Sequence, residues 1–249
     1  MLVNFRPTAS WQRLRERARL LARVRSFFDE RGFCEVETPL LSADVVVDRH
    51  LDPIAVTLPD DPRRPQIGRP MWLQTSPEFG MKRLMAAGGE AIYQITRSFR
   101  GHEQGRLHNP EFTIVEWYRR GDGLEEAAAL LSDLAQALFE RGAAQRVTYA
   151  ETFRAGLGID PHRATVSELA AVAQRAGVNV PAGMAADDRD AWLDLLLSEC
   201  IQSGLGRTGP VIVCDYPASQ GALARLKPGD PSLAERFELY LDGVELANG

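Results

Sequence analysis

Residues 100–109 read Arg-Gly-His-Glu-Gln-Gly-Arg-Leu-His-Asn, a short stretch holding two arginines, two histidines and two glycines. Guanidinium groups pair bidentately with phosphate oxygens, and glycine lets a backbone come close to them. The stretch suits a polyphosphate; a solvated loop, polar because it is a loop, has the same composition. The strand leaving it is more informative. At a period of two, Phe112, Ile114, Glu116 and Tyr118 share one face. The Phe112 ring can stack on a nucleobase, and the carboxylate and phenol further along can hold an ammonium group. If Glu116 pointed to water instead, Phe112 and Ile114 would have to point there too. A third constellation lies near the end of the chain, where Asp242-Gly243 is the dipeptide of a type I′ turn. A two-residue turn there pairs Tyr240 with Glu245 and Glu238 with Ala247, making Glu238 and Glu245 diagonal neighbours. Two close carboxylates suit Mg²⁺ on a nucleotide, although paired acids on exposed hairpins are common without a metal.

These side chains need elements to position them. Ser10 is a suitable N-cap for a helix in which Trp11, Leu14, Ala18, Leu21, Val24 and Phe28 recur at helical spacing and Gly32 supplies the stop. The other face of that helix is rich in arginine and is expected to be solvated or turned to a subunit rather than to nucleic acid. Residues 33–39 alternate and stop at Pro39, as an edge strand does. Residues 58–70, with four prolines, read as a surface loop. A short strand at 72–75 leads to Ser76, which can cap a helix that has Pro77 at its first position and Glu78 in its first turn. Strands are expected at 91–99 and 111–118, joined as an antiparallel hairpin with the arginine-rich loop at its tip. A helix follows from about 124 to 141. A small helical insertion, with helices near 165–176 and 187–203, fills about 150–205. Strands at 211–214 and 237–241 precede the Asp242-Gly243 turn.

The chain has 249 residues and a net charge of −5, which excludes a generic polybasic nucleic-acid binder. Only Lys82 and Lys227 are lysines among its 29 basic residues; the arginines are scattered, as coding bias would leave them. Cys34, Cys200 and Cys214 lack CxxC spacing and sit in apolar stretches, which argues against zinc and a disulfide framework. No apolar run approaches the ~18 residues of a membrane span, and no signal-peptide core is visible. A cytoplasmic protein without a membrane role is expected.

Together these pieces resemble the catalytic domain of class II aminoacyl-tRNA synthetases of the lysine type. The helix-strand-proline unit ending at Pro39 looks like motif 1. Phe99-Arg100 through His108-Asn109-Pro110-Glu111-Phe112-Thr113, with Glu116-Trp117-Tyr118, looks like motif 2. Thr75-Ser76-Pro77-Glu78, Met81-Lys82-Arg83-Leu84, Pro217-Ala218-Ser219-Gln220 and the run from Glu235 to Gly249 extend the likeness from end to end. Glu245-Leu246-Ala247-Asn248-Gly249 is more similar to the branch of lysyl paralogues that modify a protein, elongation factor P, than to the tRNA-charging enzymes.

The resemblance implies an α+β domain spanning 1–249: a mainly antiparallel sheet flanked by helices, dimeric through the first helix. It implies activation of lysine or (R)-β-lysine with ATP and Mg²⁺, the acyl group passing to a lysine of elongation factor P. Arg100 is the implied catalytic residue, holding the α-phosphate and the substrate carboxylate. Gly101, His102, Glu103, His108, Asn109, Phe112, Glu245 and Leu246 would border ATP, with Phe112 on the adenine. Ser76, Pro77, Glu78, Glu116, Tyr118 and Asn248 would line the amino-acid pocket, and Glu238 and Glu245 would coordinate Mg²⁺. No anticodon-binding OB-fold precedes Trp11, which argues against tRNA as acceptor. Two features depart from the family. Position 102 is His where many relatives have an acid, which here comes one residue later as Glu103. The Phe-x-Glu segment and motif 3 expected after Asn-Gly are also missing from these residues, so a C-terminally incomplete domain is expected, with Gly249 leaving an unpaired strand edge. Two other functions fit the same residues: a tRNA ligase, and a remnant that binds nucleotide or a partner without catalysis.

Overall fold

The structure is a computed structural model that describes residues 6–46 and 51–249. It divides into two compact units, Met1–Gly121 and Asp122–Gly249, each considered by itself.

The first unit opens with helix α1, Trp11–Asp29, capped by Ser10 Oγ, which accepts the Arg13 N–H at 3.2 Å. The expected apolar stripe is buried only in its last turns, at Val24, Phe27 and Phe28. Trp11 is 74% exposed and Leu14 41%, so the described residues leave the start of the stripe uncovered. The predicted edge strand shrinks to β1, Cys34–Glu35, which runs parallel to β5, Ala91–Phe99. β5 pairs antiparallel with β6, Glu111–Arg119, in unbroken register from Ala91↔Arg119 to Phe99↔Glu111, as the pattern predicts. One face of this hairpin packs on α1: the Tyr93 ring stacks on Phe28 at 4.7 Å and Trp117 lies 5.3 Å from it. Phe28 is fully buried here, and truncating such a ring costs about 3–5 kcal/mol.

Two expectations fail in this unit. Residues 58–70 are not simply a loop, because β3 (Ile54–Pro59) and β4 (Gly68–Leu73) form an antiparallel ladder reaching Pro59↔Gly68. Strand β2, Leu41–Ser42, pairs with β4 at Leu73 and Trp72, so among the described residues Pro70 has no ladder partner on that side to deprive of an N–H. Cys34 is exposed rather than in an apolar setting. After β4, helix α2 runs from Glu78 to Ala86 with Pro77 at its N-cap, one residue later than predicted.

The second unit begins with α3, Leu124–Phe139. Its sheet has the order β11-β10-β8-β7, with β7 at Gln145–Thr148, β8 at Val211–Pro217, β10 at Asp230–Leu241 and β11 at Val244–Asn248; β9, Leu226–Lys227, also pairs with β10. β7 was not foreseen; it runs parallel to β8, the other described pairs being antiparallel apart from β1 with β5. Three helices, α4 (Tyr149–Leu157), α5 (Val166–Arg175) and α6 (Arg189–Leu196), lie between β7 and β8. Their buried faces share one core with the sheet, in which Phe153, Leu169, Leu193 and Leu196 meet Val213, Tyr216 and Tyr240. The α+β class and the predominance of antiparallel pairing agree with the sequence reading.

The final hairpin turns as expected, with Asp242 at φ 52° and Gly243 at φ 80°, the two positive angles of a type I′ turn. Tyr240 pairs with Glu245, but a bulge follows, so Glu238 faces Asn248 rather than Ala247. The Gly249 amide and carbonyl are both paired, with Phe237 at 2.9 and 2.8 Å, contrary to the expected open edge at that residue.

Candidate active site

In the first unit, the loop end of β5 holds the segment that carries the candidate pocket residues. The Gln74 carbonyl accepts the Phe99 N–H at 2.9 Å, and its side-chain amide donates to the Arg97 carbonyl at 2.8 Å. This sets Thr75 and Ser76 beside the strand ends. Ser76 Oγ then does two things: it accepts the Glu78 N–H at 3.0 Å, starting α2, and donates to Glu116 Oε2 at 2.7 Å. Tyr118 donates to the other oxygen, Glu116 Oε1, at 2.7 Å. Glu116 therefore does not point to open water. Burial pushes its carboxyl above the usual glutamate range, the Ser76 and Tyr118 hydrogen bonds opposing that shift and the nearby Glu78 charge adding to it. Burial, and then the Glu116 charge, push the Tyr118 phenol up as well. Glu78 lies close enough to influence both and is paired with Lys82 at 2.6 Å, one helical turn on.

At the tip, Arg100 N–H bonds to the Pro110 carbonyl at 2.9 Å and closes the loop. Its guanidinium lies over the Phe112 ring, 4.9 Å from the centroid, and 3.8 Å from Glu103. Glu103 is thus in reach of the same arginine. Gly101 donates to the Asp52 carbonyl at 2.6 Å, and a Cβ there would meet that oxygen at 3.2 Å, so the position favours glycine. His102 takes φ 63°, and the His108 carbonyl accepts the Gly105 N–H at 3.0 Å. The structure therefore gathers Arg100, Glu103 and Phe112 in one contact set and Ser76, Glu78, Glu116 and Tyr118 in another. Asn109 has no described contact that gives it a role.

The second unit carries Glu238, Glu245, Leu246 and Asn248 on the β10–β11 hairpin. Glu238 is 4% exposed and held by three donors: Tyr216 donates to Oε2 at 2.5 Å, Tyr240 donates to the same oxygen, and Arg236 donates to Oε1 at 2.5 Å. Arg236 also donates to the Gln220 carbonyl at 2.6 Å and lies over the Tyr216 ring at 4.8 Å. Sequence reasoning missed these three holders of Glu238. A signal was present for two of them, since Arg236 and Tyr240 alternate with Glu238 on one strand face; Tyr216 comes from the neighbouring strand. Glu245 and Leu246 are exposed, and Asn248 Nδ2 lies 3.4 Å from Glu245 Oε1. Among the described residues no group of three or more His, Cys, Asp or Glu forms a metal cage. The acid pair still fits Mg²⁺, which binds one or two carboxylates and takes its other ligands from water and phosphate. A carboxylate has about four lone-pair sites, so Glu238 keeps room for one more contact beside its three donors.

A long antiparallel hairpin with Arg100 at its tip and Glu116 and Tyr118 on its inner face, reached through a helix-strand-proline unit, defines a class II synthetase catalytic domain. The chain belongs to the family of class II tRNA synthetases (D, K and N), which matches residues 2–249. It is 45% identical over 249 residues to the elongation factor P–(R)-β-lysine ligase of Vibrio vulnificus (strain YJ016), covering all of this chain and 76% of that protein. Ligases of the same name from Vibrio cholerae and Erwinia tasmaniensis are 44% identical over 246 residues and 42% over 247, each match covering 99% of this chain and 75% of the relative.

Proposed function

We propose that the protein activates lysine or (R)-β-lysine with ATP and transfers it to a lysine side chain of elongation factor P. The observation that carries this reading is Glu116. It is a half-buried carboxylate held by two neutral hydroxyls on the hairpin face that also carries Phe112, with Arg100 against that ring. A desolvated carboxylate without a directly bonded cation is a natural receiver for a substrate ammonium.

In the first step a substrate carboxylate oxygen attacks the α-phosphorus of ATP, the bond to pyrophosphate breaks, and pyrophosphate leaves. Arg100 stabilises the charge that builds on phosphorus and orients the carboxylate. Phe112 takes the adenine, and the backbone and side chains of Gly101, His102, Glu103, His108 and Asn109 follow the polyphosphate. Ser76, Pro77, Glu78, Glu116 and Tyr118, in the first unit, line the amino-acid side; Asn248, Glu245 and Leu246, in the second, keep the substrate- and nucleotide-binding roles that the family resemblance implies. Glu238 and Glu245 would hold Mg²⁺, which neutralises phosphate charge when bound. In the second step the acceptor lysine amine attacks the acyl carbon, AMP leaves, and the amine gives up a proton as the amide forms. No covalent enzyme intermediate is required.

Two further parts belong to this reading. The uncovered start of α1, with Trp11 74% exposed, suits a second copy of the chain, giving a homodimer. The acceptor is a translation factor, so the place of action is the cytoplasm; among the described residues no helix is long and apolar enough to cross a membrane. The test is ATP–pyrophosphate exchange with lysine and (R)-β-lysine, followed by acyl transfer to elongation factor P or to tRNA. Exchange with either amino acid and transfer to the protein are expected. Transfer to tRNA alone would favour the ligase alternative, and absence of exchange would leave only nucleotide or partner binding.

A further inference from the structure

The chain uses arginine almost everywhere a cation is needed. Of 29 basic residues only Lys82 and Lys227 are lysines. Arginine serves exposed pairs such as Arg13–Glu16 and Arg64–Asp61, and the pair of half-buried Arg236 with buried Glu238. Neither exposure nor burial therefore keeps arginine out of an ion pair here. Lys227 meets Asp215 at 2.6 Å in the second unit. Lys82 meets Glu78 at 2.6 Å at the edge of the amino-acid pocket.

The Lys82–Glu78 pair has little to do with stability. It joins positions four apart on a helix, Lys82 is 45% exposed, and such pairs contribute little. Its placement is more informative. Glu78 Oε1 is held by Lys82, and the Glu78 charge acts on both Glu116 and Tyr118. Two acids and one resident ammonium thus share the pocket, leaving one negative charge for one incoming ammonium. An ammonium is a compact point charge with three rotatable donors, whereas guanidinium is a larger planar fork. At this position a fork would change both where Glu78 sits and how much of the pocket the cation fills.

We propose that Lys82 is a positioning and specificity-determining residue of the amino-acid pocket. Its ammonium anchors Glu78 Oε1 and offsets that charge, so that Glu78 and Glu116 together accept a single substrate amine. The proposal rests on the amino-acid-activation reading above and adds to it a residue that arginine cannot replace.

The experiment compares wild type, Lys82→Arg and Lys82→Met in the full-length enzyme by ATP–pyrophosphate exchange. The readouts are KM for lysine and for (R)-β-lysine, KM for ATP, and Ki for 6-aminohexanoate, which keeps the chain and terminal amine of lysine but lacks its second amine. Both variants should raise the KM of the better diamino acid by about tenfold or more, with KM for ATP and Ki for 6-aminohexanoate within about twofold. Thermal midpoints should stay within about 2 °C of wild type, which separates the effect from misfolding. Lys82→Arg with wild-type KM values would overturn the proposal, as would equal losses for the diamino acid and 6-aminohexanoate. Wild-type enzyme inactive with every lysine-like substrate would instead overturn the activation reading on which the proposal stands.

Discussion

Glu116-Trp117-Tyr118 in the first unit and Glu238-Leu239-Tyr240 in the second repeat one local device. In each, a strand carboxylate accepts the phenol two residues further on. They differ in the other donors. Glu116 has the Ser76 hydroxyl, whereas Glu238 has a second phenol, Tyr216, and the Arg236 guanidinium. The first carboxylate is desolvated and its charge is not cancelled by a bonded cation, so its carboxyl is pushed up. The second carries its counter-ion with it. On the proposed reading, the same three-residue motif offers an uncompensated carboxylate to an external ammonium in one unit. In the other it is pinned by its own arginine and keeps only a spare lone pair for a metal; the neighbouring donor decides which.

The comparison is broken or sharpened most strongly at Glu238. Glu238→Ala leaves a half-buried guanidinium and two buried phenols without their shared acceptor and should cost about 3 kcal/mol of stability in urea denaturation. A loss below about 1 kcal/mol would mean that Glu238 is not a pin. Arg100→Ala should leave stability nearly unchanged and lower pyrophosphate exchange by about 10²–10³. Exchange within threefold of wild type would remove Arg100 from the chemistry.

Glu116→Gln keeps shape and removes charge. It should weaken lysine-like substrates by about tenfold while ATP affinity holds. Its pH signature follows from the raised carboxyl. The folded state holds this proton more tightly than the unfolded chain, so the resulting stability is full below the ordinary value of 4.5 and is lost as pH rises through the folded value. The variant should accordingly gain on wild type above that window and not below it, as parallel urea titrations would report. Equal differences at low and neutral pH would contradict the desolvation account. The smallest effects belong to the phenols: Tyr118→Phe and Tyr240→Phe should each cost about 0.5–1.5 kcal/mol of interaction. Only the first should appear in the amino-acid KM; the second should appear in the thermal midpoint.

The β5–β6 hairpin was legible residue by residue because both strands alternate cleanly and share a face that must stay together. The β3–β4 ladder was not, because four prolines and several charges within 58–70 mask a pairing that a sheet tolerates where, as at Pro70 among the described residues, a strand position is paired on one side. At the last hairpin the turn was readable from Asp242-Gly243, but the bulge was not. It shifts Asn248 opposite Glu238 and lets Gly249 pair with Phe237, a gain of long-range pairing that no local pattern announces. Within the site, Glu116 and Tyr118 were visible from period-two spacing. Ser76, which donates to Glu116, lies 40 positions from it and was placed in the pocket only by family resemblance. The Tyr216–Arg236–Glu238–Tyr240 cluster required β8 and β10 to be paired first.

Arg100 rests with its guanidinium 4.9 Å from the centre of the Phe112 ring. On the proposed reading that ring is the seat of the adenine, and a base arriving there exchanges one partner of the ring for another. The arginine set loose is the group that must meet the α-phosphate. Base and phosphate then act as cooperative ligands of a single side chain, each easing the way for the other. Tripolyphosphate alone has to break the cation–π contact, worth about 0.5–2 kcal/mol, without supplying a replacement. Discrimination in favour of a whole nucleotide over its phosphate tail is thereby written into the resting position of one arginine.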